Sequence, residues 1–189
     1  MNKTIFWIDT DRLVLKSHAI ENAAICNIWW NDQELLDLDS DDPPTEKAES
    51  LAESRRKIQH WIDQSPAANR INYAIHLREN GELIGYGKIA RIDTYNHHCS
   101  LGIMLGRKDL WRLGYGREVL TAVINYCFDE LQLNRIATKI FSFNRRSVDL
   151  FEKLGFVHEG TERNKIRKDD RYFDDLNFGL LKSEWATDH

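Results

Sequence analysis

The chain is expected to fold as a single mixed α/β domain, residues 1–189, whose early strands run antiparallel. Three observations carry that expectation. Short apolar runs of strand length alternate with longer stretches of helical periodicity. An Asn80-Gly81 pair stands between two apolar runs, the strongest short signal for a tight hairpin. Positions 117–131 place Leu120, Val123, Ile124, Cys127, Phe128 and Leu131 at helical spacing, which gives one long apolar stripe. A length of 189 residues suits one such domain, and a hydrophobic share of 42% suffices to fill its core.

In chain order, Leu13, Val14 and Leu15 after Thr10-Asp11-Arg12 predict a first strand. Positions 20–30 predict a helix with Ala24 and Ile28 on its inner face. The next stretch is acidic, with Asp32, Glu34, Asp37, Asp39, Asp41 and Asp42. Pro43-Pro44 interrupts any helix there, because each proline lacks an amide hydrogen and disfavours helical geometry in the residue before it. A helix then resumes over 45–63 with Ala48, Leu51, Ala52, Ile58 and Ile62 inward, ending near Pro66. Strands follow at 72–76 and 83–92, joined by the Asn-Gly turn, with Gly85 and Gly87 marking a bulge or a close approach. A further strand covers 99–105, and the long helix 117–131 follows. A buried strand at 136–143, a short helix at 147–154 closed by Gly155, and a final hairpin over 163–181 complete the chain.

Composition excludes several functions. A net charge of −4 and a pI near 6.0 give no overall attraction to phosphate backbones, so no nucleic-acid partner is expected. Cys26, Cys99 and Cys127 are far apart and lack metal-ligand spacing, which favours three reduced thiols and no metal. The N-terminal residues do not form the apolar core of a signal peptide, and no window is long and apolar enough to span a membrane. A cytoplasmic location without a membrane partner is expected by default.

The segment Trp111-Arg112-Leu113-Gly114-Tyr115-Gly116-Arg117 joins a strand to the long helix. Gly114 and Gly116 let the backbone turn sharply and bring amide hydrogens close to a ligand. The helix N-terminus behind them adds unpaired donors and partial positive charge, together a site for a pyrophosphate. Arg112 and Arg117 can add charge-assisted bonds. The same turn could also be a ligand-free connection. Two rival phosphate loops fail: no Gly-Lys-Ser or Gly-Lys-Thr occurs, and Val119 stands where a dinucleotide fingerprint needs its third glycine.

This loop resembles the acetyl-CoA pyrophosphate loop of the GNAT superfamily of N-acetyltransferases, Gln/Arg-x-x-Gly-x-Gly/Ala. Asn144-Arg145-Arg146-Ser147-Val148-Asp149-Leu150-Phe151 through Gly155-Phe156 resembles that family's next motif. Thr10 through Lys16 and the ending Gly179 through Trp185 are similar to the branch holding ribosomal-protein N-terminal and polyamine acetyltransferases. The resemblance implies an α/β (α+β) GNAT fold: a mixed, mostly antiparallel sheet, splayed at its centre, with helices on both faces. It implies acetyl-CoA as cosubstrate, no metal, and direct transfer to an amine. Ile103, Met104 and Leu105 would pair with the pantetheine arm through their backbone, with an amide near Leu105 as oxyanion donor. Asn144 would hold the same arm or simply cap its helix. The glycine loop from Trp111 to Arg117 would hold the pyrophosphate.

Phe151 departs from the family pattern, which often has a tyrosine there to protonate the leaving thiolate; phenylalanine has no proton to give. Ser147, one turn earlier, is the substitute donor, or a small polar residue of the helix's first turn. Ser100 stands where relatives carry a glutamate, which leaves His97, His98, Asp93 and Glu34 as candidate bases, the histidines also reading as an exposed loop pair. Glu34, Asp37 and Asp39 lie where the family forms its acceptor pocket, and would attract a cationic amine such as a polyamine or a basic protein N-terminus; as a plain charge run they would be a solvated face. A homodimer is left open. The alternative to an enzyme is a non-catalytic acetyl-CoA sensor or interaction module, with Phe151 as its support.

Overall fold

A computed structural model describes residues 6–39, 48–64, 69–168 and 170–188. Asp41, Asp42, Pro43, Pro44, the start of the helix expected from Thr45, and Pro66 lie outside the described residues, as does the side chain of Asp39. The fold is an eight-stranded mixed sheet with helices on both faces. Its elements are β1 Trp7–Asp9, β2 Leu13–Ser17, α1 Asn22–Trp29, α2 Gln33–Asp39, α3 Leu51–Gln64, β3 Arg70–Leu77, β4 Leu83–Asp93 and β5 His98–Leu105. There follow α4 Tyr115–Asn125, β6 Arg135–Phe141, α5 Arg145–Glu152, β7 Val157–Lys168, β8 Arg171–Leu181 and α6 Lys182–Asp188. The spatial order is β1-β2-β3-β4-β5-β6-β8-β7, and every pairing is antiparallel except β5 with β6.

That parallel seam is short. His98, Cys99 and Ser100 pair with Arg135, Ile136 and Ala137, and there the ladder ends although both strands run on. The Thr138 hydroxyl, donating to the Leu101 carbonyl at 3.1 Å, is a further link across the seam. On one face, Val119, Leu120, Val123 and Ile124 of α4 join Val148 and Phe151 of α5 over Ile89, Leu101 and Ile136. On the other, α1, α2 and α3 place Ala23, Cys26, Trp29, Leu35 and Ile58 against Ala74 and Met104.

Several expectations are corrected. Helix α1 buries Asn22, Ala23, Cys26 and Trp29, while Ala24 is exposed and Ile28 is 67% exposed, so its inner face is rotated from the one expected. Trp29 sets the rotation: its indole covers Gly106, where a Cβ would stand 2.1 Å from the ring. Helix α3 starts at Leu51. Ser50 and Glu53 exchange hydrogen bonds there as a capping box, the Glu53 amide donating to the Ser50 hydroxyl at 3.3 Å. Its buried residues are Ser54 and Ile58, whereas Ala48 and Ala52 are exposed and Leu51 is 43% exposed. Strand β1 and helix α2 were not foreseen. The long helix widens into a π turn over Tyr126–Glu130, which still buries Cys127 and Phe128. Gly87 does mark a close approach, since a Cβ there would stand 2.3 Å from the Tyr73 ring.

Candidate functional site

Where β5 and β6 part, a cleft of about 860 Å³ opens between them. Residues 101–104 line one side, residues 137–141 the other, and Asn144, Ser147 and Phe151 of α5 close the end. A strand edge without a neighbouring strand leaves backbone donors and acceptors free for a ligand.

The glycine loop follows β5 directly. Gly114 caps α4 with φ +86°, a left-handed conformation that glycine adopts without a Cβ clash. The Glu118 amide bonds to the Gly114 carbonyl at 3.1 Å as the first turn of the helix. The amides of Tyr115, Gly116 and Arg117 therefore have no acceptor within the helix, as an anion site at a helix N-terminus requires. Gly116 serves a different need: a Cβ there would stand 3.1 Å from Leu150, so it permits close packing of α4 on α5.

Side chains from distant elements brace the loop. Arg12 donates to the Leu113 carbonyl at 3.0 Å, pairs with Glu118 at 2.7 Å and lies 4.2 Å over the Tyr115 ring. Burial of Glu118 works against its charge, but bonds from Thr10 and Arg12 win and hold its carboxyl below the usual range. The Trp111 indole donates to the Leu105 carbonyl at 2.8 Å, and Arg146 stacks 3.9 Å over the Trp111 ring. The loop is thus tied to the end of β5 and the start of α5. Arg112 also adopts a left-handed conformation, with φ +65°.

On α5, the Asn144 side chain accepts from the Ser147 amide at 3.2 Å and donates to the Leu38 carbonyl at 3.1 Å. It caps α5 and ties it to α2. Ser147 sits half-buried in the cleft wall. Phe151 also lines the cleft but is only 2% exposed, with its ring edge-on to Phe156 at 5.0 Å.

The face toward α1–α3 carries a polar trough. One register row crosses the sheet through Arg70, Ala90, Ser100, Ala137 and Gly179, so small residues make its floor. The neighbouring row runs Asn72, Lys88, Gly102 up to the split, and continues as Lys139 and Asn177 beyond it. Phe141 and Asp175 come next on the far side. Asp175 is 3% exposed; one oxygen accepts from Lys165 at 2.7 Å, and the other, Oδ1, has no partner.

Among the sequence-predicted residues, Ile103, Met104, Asn144, Ser147 and Phe151 line the cleft, whereas Gly114 and Arg117 of the loop line a separate shallow hollow with Thr10, Asp11 and Arg12, and others join neither. His97 and His98 sit at the closed end of the seam, outside the cleft lining. The His97 ring contacts the Gln132 carbonyl at 3.2 Å, and His98 stands 3.6 Å from Asp93. Glu34 is 3.0 Å from Lys108 and 3.9 Å from Arg146, and Asp37 is 3.0 Å from Lys168. These carboxylates already have cationic partners. Sequence reasoning missed Asp175, Asn72 and Lys88, which belong to strands with ordinary polar alternation. Among the described residues no His, Cys, Asp and Glu cluster could hold a metal, and no helix is long and apolar enough to cross a membrane.

Residues 12–157 match the family model described as an acetyltransferase (GNAT) domain. The chain is 32% identical over 177 residues to an uncharacterized N-acetyltransferase, p20, of Bacillus licheniformis, covering 94% of this chain and 97% of that one. It is 31% identical over 107 residues to the ribosomal protein uS5-alanine N-acetyltransferase of Escherichia coli, covering 56% of this chain and 54% of that one. In fold it is similar to the spermidine N-acetyltransferase of Vibrio cholerae, solved with CoA and spermine, at a TM-score of 0.79, 20% identity and coverage of 94% of this chain and 99% of that one. By this match over most of its length, the chain belongs to the GNAT family of acetyltransferases.

Proposed function

We propose that this chain transfers the acetyl group of acetyl-CoA directly to a primary amine bound in the trough. The observation that carries this reading is the edge of β5 beyond Ser100, which has no strand partner on the β6 side and leads straight into the Gly114-capped helix. A pantetheine arm extended along Ile103, Met104 and Leu105 would supply the missing backbone partner. Its pyrophosphate would meet the amides of Tyr115, Gly116 and Arg117, within the loop formed by Trp111, Arg112, Leu113 and Gly114. Asn144 and Phe151 line the inner end of that path.

On this reading the acceptor ammonium gives a proton to Asp175 Oδ1, a carboxylate oxygen with no partner in the cleft wall. The neutral nitrogen attacks the thioester carbon, the carbon–sulfur bond breaks, and the departing thiolate takes a proton from the Ser147 hydroxyl, which recovers one from the positively charged nitrogen as the neutral amide forms. Asp175 replaces His97 and His98 as the base because it faces the cleft and they do not. The relatives named above include enzymes for a protein N-terminal alanine and for spermidine, which supports an amine acceptor of either size.

The test is release of free CoA thiol with a panel of amines, run beside acetyl-CoA titrations of the wild type and Gly114→Val. A Val at φ +86° is strained, and the variant should lose acetyl-CoA affinity by about a hundredfold with circular dichroism unchanged. Wild-type affinity in a folded Gly114→Val variant would remove the loop from the cosubstrate site. Tight binding with no thiol release for any amine would leave an acetyl-CoA sensor.

A further inference from the structure

We infer that the trough contains an anion subsite formed by Arg70, Asn72 and Lys88, so that the acceptor amine carries a carboxylate or phosphate of its own. This rests on the transferase reading above and deepens it.

The subsite begins with Asn72 on β3, 2% exposed and lining the cleft. Arg70 Nε donates to one side-chain atom of Asn72 at 2.9 Å. A guanidinium only donates, so that atom is the amide oxygen, and the nitrogen occupies the other position. Asn72 Nδ2 is buried and has no hydrogen-bond partner. Two N–H donors thus lack an acceptor, a costly state for a buried amide unless a ligand completes it.

The nearest charged neighbour is a cation as well. Lys88 stands directly across from Asn72 in the β3–β4 register, and Gly102 stands across from Lys88 on β5. Gly102 has no side chain, and the lysine stem lies over it: a Cβ at Gly102 would be 2.9 Å from Lys88 Cε. The ammonium is thereby carried toward β5, the strand that borders the split. Among the described residues, neither Arg70 nor Lys88 has an ion-pair partner, nor does Arg91 on the same rim.

The opposite wall differs. Arg135 pairs with Glu159, Lys139 with Glu162, and Lys165 with Asp175. Spare positive charge therefore sits on the β3–β4 side alone, next to unmet donors, while a free carboxylate oxygen sits on the β8 side. An acceptor with an anion at one end and an ammonium at the other fits both walls. At about 4.8 Å per strand, β4 and β3 lie about 14 and 19 Å from β8, and the Lys88 stem reaching over Gly102 brings its ammonium to within about 10 Å of the β8 side. A span of about 10 Å exceeds that of a small amino acid or amino phosphate and fits an acidic residue just after a protein N-terminus.

The experiment has a binding arm and a turnover arm. Protein saturated with CoA, so that the glycine loop is filled, is titrated with inorganic phosphate by calorimetry. Lys88→Gln and Arg70→Gln should each weaken phosphate by about tenfold, as loss of a charge-assisted bond predicts, while Lys153→Gln on the exposed end of α5 should not. Both altered residues are solvent-accessible enough to spare the core. For turnover, phosphoethanolamine is compared with ethanolamine, glutamate with its diamide, and an Ala-Asp-Asp peptide with Ala-Asn-Asn. At least one anionic member should exceed its neutral counterpart in kcat/KM by about tenfold, and lose that advantage in Lys88→Gln. The small pairs and the peptide pair tell the two sources apart. Equal turnover of anionic and neutral members in every pair, or phosphate affinity unmoved by Lys88→Gln, overturns the subsite. CoA titrated into the same samples tests the transferase reading separately: absent CoA binding breaks that reading whatever phosphate does.

Discussion

The acidic rim on α2 and the floor of the trough are both rich in charge, yet only one of them has charge to spare. On the rim, Lys108 pairs with Asp32 at 2.8 Å and with Glu34 at 3.0 Å, and Lys168 pairs with Asp37 at 3.0 Å. The bond from Lys108 holds the Asp32 carboxyl below its ordinary range. On the floor, Asp175 keeps a free oxygen, and Arg70 and Lys88 keep free positive charge among the described residues. Proximity in sequence made the rim conspicuous, but its partners arrive from β5–α4 and β7 and cancel it. Charge that matters to a ligand is charge left uncompensated in a partly dehydrated place, where screening by water is weakest.

The largest effect that could break this contrast is at Asp175. Asp175→Asn keeps the shape but removes the proton acceptor, and should lower kcat by on the order of 10² to 10⁴ with acetyl-CoA affinity retained. A drop in thermal stability with kcat intact would make the residue a purely structural partner of Lys165.

A second prediction concerns a buried ionisable group with one ring nitrogen beside Asn22 at 3.4 Å and the other unsatisfied. His18 packs 5.1 Å from Trp61 beneath α3, and its Nε2 has no partner. Burial, with the nearby His76 adding to it, pushes its pKa down to about 4 from 6.5. The unfolded chain takes up this proton first, so stability is full above about pH 6.5 and falls as pH drops toward 4. The loss should be on the order of 3 kcal/mol. Urea unfolding of the wild type and His18→Phe at pH 7 and pH 4.5 checks this: the variant should lose less than the wild type, and identical losses would acquit the histidine.

The smallest effect belongs to the rim. Exposed ion pairs contribute between zero and about 1 kcal/mol. Glu34→Gln combined with Asp37→Asn should therefore leave acceptor KM unchanged at low and moderate salt, with stability altered by less than about 1 kcal/mol. A rise in KM that salt abolishes would return these carboxylates to the role of attracting a cationic acceptor.

The glycine loop and the start of α5 were legible because their residues are contiguous. Residues 111–117 and 144–151 each form one turn and one helix start, so glycine, asparagine and helix periodicity speak within a few positions. The trough was not legible. Arg70, Asn72, Lys88 and Asp175 are single positions on three strands, brought together by register, and each alone reads as the polar phase of an alternating strand. The same holds for α1. Helical spacing offered Ala24 and Ile28 as an inner face, but the choice is made by Trp29 against Gly106, far away in sequence. Helix α2 was hidden because a run of like charges argues against helix unless partners such as Lys108 and Lys168 are known.

The brevity of the β5–β6 seam also has a mechanical consequence. Two stiff plates, β1 to β5 and β6 to β8, are joined by a ladder that ends at Ser100 and Ala137. The tip of β5 at Leu105 lies about 17 Å along the strand from that ladder, so a rotation of about 5° there moves the tip by about 1.5 Å. Displacement on that scale decides whether reacting atoms meet. The side chains that fix the angle are those packed at the seam: Cys99 against Cys127 at 3.8 Å, and Ile136 within the core beneath them. Leverage thus concentrates at the buried root of the opening, and a change of one methyl group at Ile136 would be felt as a change of gape at the far end.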